Sequence, residues 1–152
     1  MKPLGYQHNF YASVPAVGPI AIGFLALSTS SGQNHFFAVR TATKRGAKIV
    51  ETGFIGFCSL LGDDDALITQ SPARLPKPRV GVDREILKID DPELILREHR
   101  KRMRDYDIKP VEASDLVNRI RRQNELDCDE YLKQGLLRPA TQGQISAIRA
   151  KK

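Results

Sequence analysis

Ser71-Pro-Ala-Arg-Leu-Pro-Lys-Pro-Arg79 places three prolines within seven residues and divides the chain into halves of opposite character. Ahead of it lies an apolar stretch with no Asp, Glu, Lys or Arg from Pro3 to Val39. Behind it the sequence is dense in charge and patterned for helices. Proline lacks an amide hydrogen and fixes its own backbone angle, so this segment belongs to neither a central strand nor a helix interior. The helix expected at 91–106 carries an apolar stripe that needs a surface, and the sheet expected before residue 71 needs a cover. The proline segment therefore reads as a crossover strap within one domain.

Upstream of the strap, β chemistry dominates. Residues 19–28 alternate Ile20, Ile22 and Phe24 against Ala21, Leu25 and Leu27. After the polar turn 28–34, residues 35–43 place Phe37, Val39 and Thr41 on one face and Phe36, Ala38 and Arg40 on the other. Lys44-Arg-Gly46 turns the chain into a long β segment, 47–61; Gly62-Asp-Asp-Asp65 turns it again into a short strand, 66–70. Residues 9–14 supply a further strand. Short connections between consecutive strands favour an antiparallel meander. The apolar run Val14–Leu27 is shorter than the ~20 residues of a spanning helix and holds Pro15, Gly18, Pro19 and Gly23. A buried strand fits it better than a membrane segment.

Downstream, Asp91-Pro92-Glu93 has the chemistry of a helix start, with a side-chain cap, a proline at the first position and an acid near the positive dipole end. Leu96, His99, Met103 and Tyr106 recur at helical spacing and form its docking stripe. Ser114 is expected to cap a second helix with Leu116, Val117 and Ile120, a stripe that stops at Arg121-Arg-Gln-Asn124. Asp127 with Glu130 resembles a capping box for a third helix ending at Gly135, and Thr141 with Gln144 opens a last one. The expectation is an α+β fold: an antiparallel sheet of four to five strands covered by one amphipathic helix, with a C-terminal group of short helices. Residues 1–109 form the β-rich core domain and 110–152 a helical appendage. Thin stripes on short helices are marginal alone, which points to association with a second copy or another protein.

Composition bounds the function loosely. The 152 residues carry a net charge of +6. Residues 1–80 hold eight Lys/Arg against four Asp/Glu, and residues 81–152 sixteen against fourteen, so the charge-dense half is nearly balanced. Basicity of that kind is no nucleic-acid signature by itself. Two distant cysteines without a C-x-x-C pair suit a reducing, cytoplasmic setting and give no zinc or redox motif. G-x-S-x-G, H-E-x-x-H, G-x-G-x-x-G and the P-loop spacing are absent, so no catalytic residue, cofactor or metal is assigned.

Three weaker constellations remain. Arg97, Lys101 and Arg104 align on one helix face, and with Lys44, Arg45 and Lys48 they form candidate phosphate contacts for a nucleic acid. Against that, Glu93–Arg97 and Glu98–Arg102 have the spacing of ordinary surface ion pairs. Arg40 and Glu51, inside apolar strands, are placed symmetrically about the turn at 45–46 and are expected to pair; with His99 they outline a candidate pocket between sheet and helix. Asp63, Asp64 and Asp65 lack the alternate spacing and distal Glu of a calcium loop and read as a hairpin turn. The leading functional expectation is a non-enzymatic binding or assembly module, with phosphate-backbone binding and a small-ligand enzyme as alternatives.

Overall fold

A computed structural model describes the backbone of residues 6–17, 20–29, 31–45, 47–73 and 75–136, with 139, 141–143 and 146 beyond, and the side chains of these residues from 31 onward except 43–45 and 113. Six strands form one sheet in chain order: β1 (Tyr6–Val17), β2 (Ile20–Thr29), β3 (His35–Arg45), β4 (Lys48–Leu60), β5 (Ala66–Gln70) and β6 (Val82–Ile86). The first five are the expected antiparallel meander. The described residues of the apolar run lie in two paired strands, the end of β1 and most of β2, rather than one, and the burial of their side chains lies outside the described residues. No helix among the described residues is long and apolar enough to cross a membrane.

The sheet is mixed rather than purely antiparallel, because β6 pairs parallel to β5. A parallel neighbour needs a crossover, and residues 71–81 provide it. The sequence hid β6 because Val-Asp-Arg-Glu-Ile carries charge on both of its faces.

Two helices complete the described fold. The first, α1 (Pro92–Met103), starts as expected: the Asp91 carboxylate accepts hydrogen bonds from the amides of Glu93 (2.8 Å) and Leu94 (3.2 Å). It stops three residues earlier than the stripe suggested. The amides of Arg104, Asp105 and Tyr106 each reach back three residues, a tighter winding that swings Tyr106 out of the helix. The buried side chains of α1 are Ile95, Leu96 and His99; Met103 is only half-buried.

Beyond it lies one long helix, α2 (Ala113–Lys133), where the second and third short helices were expected. Ser114 sits inside its first turn, and Asp127 and Glu130 lie mid-helix instead of forming a cap. The end comes where Gly135 marks it. Its φ of 71° lets the amide of Leu136 bond the carbonyl of Tyr131 and its own amide bond that of Leu132, closing the helix with a Schellman motif. Of the expected last helix, Gln142, Gly143 and Ser146 are helical, and Gln144 lies outside the described residues.

Alternation along the strands gives the sheet two working faces. Phe36, Phe57, Ile95 and Leu96 form the core under α1, with the Phe36 and Phe57 rings 5.4 Å apart. Leu60, Ala66 and the fully buried Leu116 form a second core under α2, flanked by Ile68, Val82 and Ile120. Burying a leucine such as Leu116 stabilises by about 2 kcal/mol.

Polar clamps fix α2 to this face. Arg119 reaches Asp63 (2.5 Å) and Arg122 reaches Asp64 (3.2 Å), so the acidic turn docks the helix. Among the described residues no cluster of metal-ligating side chains occurs. At the other end, the amide of Val111 donates to the carbonyl of Gly32 (2.9 Å). Gly32 has a φ of 65°, and a Cβ there would lie 2.5 Å from the Val111 carbonyl oxygen. Gly32→Ala is therefore expected to cost roughly 1–3 kcal/mol and to loosen the start of α2; urea denaturation with an unchanged midpoint would contradict this.

Candidate ligand cavity between the sheet and the second helix

The face of β3–β6 under α2 is not fully packed. Leu116 and Ile120 touch it, but farther along α2 the residues turned to the sheet are Gln123, Asn124, Asp127 and Tyr131. The stripe stops being apolar at residue 121 because the helix there overlooks a space. That space is a cavity of about 300 Å³, at the lower end of the volumes typical of small-molecule sites. Its floor includes Phe37, Phe54, Cys58 and Ile68, and Leu75 of the strap lines it as well.

Two polar side chains in this wall hold buried atoms with no hydrogen bond. His35 is 3% exposed, and neither ring nitrogen has a hydrogen bond. Gln70 is 2% exposed, and its Nε2 donates to nothing. An unmet donor in a buried site costs on the order of 1–3 kcal/mol. Burial pushes the His35 imidazole down to about 4, so it stays neutral at pH 7, with one nitrogen free to donate and the other to accept. The same environment, burial first and then Asp127, pushes the Cys58 thiol up to about 12 and removes it as a nucleophile.

Charge enters from the strap and β6. Arg79 is nearly buried; its Nε lies 3.2 Å from Asp127 and its guanidinium also donates to Gln123 and to the carbonyl of Asp64. Arg84, which lines the cavity, donates to the Pro76 carbonyl. Burial raises the Asp127 carboxyl, with Arg79 and then Arg84 opposing it. Strap, β6 and α2 thus meet at one charged corner of an otherwise apolar space.

The residues expected to form a pocket do not gather. Arg40 and Glu51 do bond each other, but not as directly opposed residues. Arg45 pairs with Lys48, which sets Arg40 opposite Gly53 and Glu51 opposite Ala42; the ion pair runs diagonally and is exposed. His99 lies near Ser59, six residues farther along β4 than Gly53, or roughly 20 Å. It is fully buried between Ser59 Oγ (3.0 Å from Nε2) and Thr69 Oγ1 (3.1 Å from Nδ1). Burial, then Arg102 and His35, lowers it to about 3. Among the described residues no carboxylate bonds this serine–histidine pair, and both side chains are fully buried, so its chemistry is packing.

Three of the expected basic residues do share one surface: Arg97, Lys101 and Arg104 line a single concavity with Arg100, Glu93 and Leu96. Arg97, Lys101 and Arg104 are exposed on α1, where Glu98 binds Lys101 (2.8 Å) and Arg97 (3.4 Å). Lys48 is exposed at the start of β4, and the side chains of Lys44 and Arg45 lie outside the described residues. The cavity residues were invisible in sequence because His35, Gln70, Arg84 and Asp127 come from four separate elements. One signal was legible: the abrupt loss of apolar residues along a helix that continues. No family model matches the chain, and neither a curated protein nor a solved structure is similar to it.

Proposed function

We propose that this protein binds a small, largely apolar molecule in the cavity between the sheet and α2, without catalysing its conversion. The observation that carries the reading is the unmet hydrogen-bonding capacity of His35 and Gln70, both nearly fully buried in the wall of an apolar space. A mostly apolar concavity with a few placed polar groups is the usual form of a small-molecule site. A ligand with a hydroxyl or carbonyl group satisfies those atoms and fills the volume at once. Cys58 and His99 are held in unreactive states, which supports binding over catalysis.

The test is titration with the neutral fluorescent probe N-phenyl-1-naphthylamine. Saturable emission is expected with the wild-type protein. Ile68→Phe, which fills the middle of the floor, is expected to weaken it by about tenfold or more, since a filled site loses the probe's apolar burial. Unchanged binding by Ile68→Phe with an intact thermal transition would reject the cavity as the site.

A second reading is association with another protein or a second copy. Val117, Leu132 and Leu136 are exposed on and just after α2, as are Ile49 and Val50 in β4. Sedimentation velocity showing a monomer across micromolar concentrations would remove it.

A further inference from the structure

We infer that the cavity's ligand is an amphipathic carboxylate whose head lies between Arg84 and Gln70; this rests on the cavity being the binding site. Register brings the two donors together. Ile68 pairs with Arg84 and Gln70 with Ile86, so Arg84 is the diagonal neighbour of Gln70 on the adjoining strand, on the same face. Both line the cavity. Gln70 offers a buried Nε2 with no acceptor. Arg84 offers a guanidinium whose described partner is one backbone carbonyl, that of Pro76.

Charge decides between a neutral and an anionic head. Asp127 is the carboxylate at this corner, and its ion pair at 3.2 Å is with Arg79. Arg79 takes that carboxylate, which leaves the half-buried Arg84 as a positive charge at the cavity with no ion pair among the described residues. A neutral ligand satisfies Gln70 and leaves that charge uncompensated. A carboxylate satisfies both, because its two oxygens accept from a guanidinium in a planar fork and retain capacity for the amide. The remaining wall, Phe37, Phe54, Ile68 and Leu75 among it, sets the chemistry of the tail as alkyl or aryl. Arg84 and Gln70 are thereby binding residues for the head, and the apolar floor is not selective for it.

Displacement of N-phenyl-1-naphthylamine by decanoate and by decanol, at pH 7.4, separates head from tail. 1-Naphthoate replaces decanoate in a parallel arm to distinguish an aryl from an alkyl source. On the wild-type protein at least one acid is expected to displace the probe at about tenfold lower concentration than decanol, the scale of a charge-assisted hydrogen bond. Arg84→Met is expected to weaken that acid by about tenfold or more while decanol changes by less than about threefold. Gln70→Leu removes the other donor and gives the same selective weakening, which keeps the test open if Arg84→Met does not fold. Equal potency of acids and alcohol, unaffected by either variant, overturns the carboxylate and leaves the cavity reading standing. Failure of probe and acids alike to bind, checked by calorimetry, overturns both.

Discussion

Lowering the pH from 7 to 4.5 is expected to remove on the order of 5 kcal/mol of folding stability, comparable to the whole stability of many domains. Two histidines carry the effect. His35 and His99 are 3% and 0% exposed, and their folded values lie at about 4 and about 3, against an ordinary 6.5. Both folded values are depressed, so the unfolded chain takes up its protons first. The stability they contribute is complete above about pH 6.5 and drains away as pH falls toward the folded values. The slope approaches roughly 2–3 kcal/mol per pH unit with both sites titrating. Asp127 works in the opposite sense, because burial raises its folded value, and it offsets part of the loss near pH 4. Urea midpoints at pH 7.0, 6.0, 5.5 and 5.0 keep that contribution small. His35→Leu removes an imidazole that has no partner, so it is expected to fold at pH 7 and to show about half the slope. A flat profile from pH 6.5 to 5.0 would show that these sites open to water.

Arg102→Met is expected to destabilise the protein by about 2–4 kcal/mol and to release β6 first. Arg102 sits on α1 with its side chain only 18% exposed. Its guanidinium donates to the Ile68 carbonyl (2.6 Å) and Thr69 Oγ1 (2.7 Å) on β5, and to the Asp83 carbonyl (3.2 Å) on β6. It is ion-paired with Asp83 (2.8 Å) and Glu85 (3.5 Å). Tyr106 completes the arrangement by donating to Asp83 (2.6 Å), which holds that carboxyl below its ordinary value ahead of Arg102's contribution. One side chain thus clips together the parallel pair. Hydrogen exchange should show the amides of residues 82–86 losing protection before those of β3 and β4. Arg102→Lys should not restore them, because an ammonium cannot span both strands as a planar fork does. Retained protection in Arg102→Met would mean that the pairing is held by the backbone alone.

Arg102 also marks how far the sequence was readable. The five-strand meander, the strap, the start of α1 and the end of α2 each followed from local chemistry: alternation, prolines, an Asp-Pro start and a terminal glycine. β6 did not, because Asp83 and Glu85 look solvent-facing until a distant arginine is known to cover them. The Arg40–Glu51 pairing was legible, but its diagonal register was not, since that depends on which two residues lie between the paired strand ends. The longest error concerned α2. Its polar run after Ile120 looked like a helix ending, and the space beneath it is created jointly by β3, β5, β6 and the strap. A cavity leaves no periodicity of its own; it appears in sequence only as residues that fail to be apolar where a stripe predicts them.

The position of the two helices also orders events on the ribosome. Uncharged β1 and β2 emerge before the helices that cover the sheet and before Arg102, which secures its last strand; all of these follow residue 90. During that interval strand edges and apolar faces have no cover, the condition under which nascent chains associate wrongly. The early meander is local and closes quickly, but β6 must wait for a residue made after it. Completion of this fold is therefore tied to synthesis of its C-terminal half, and the cavity cannot form until α2 has closed over the sheet.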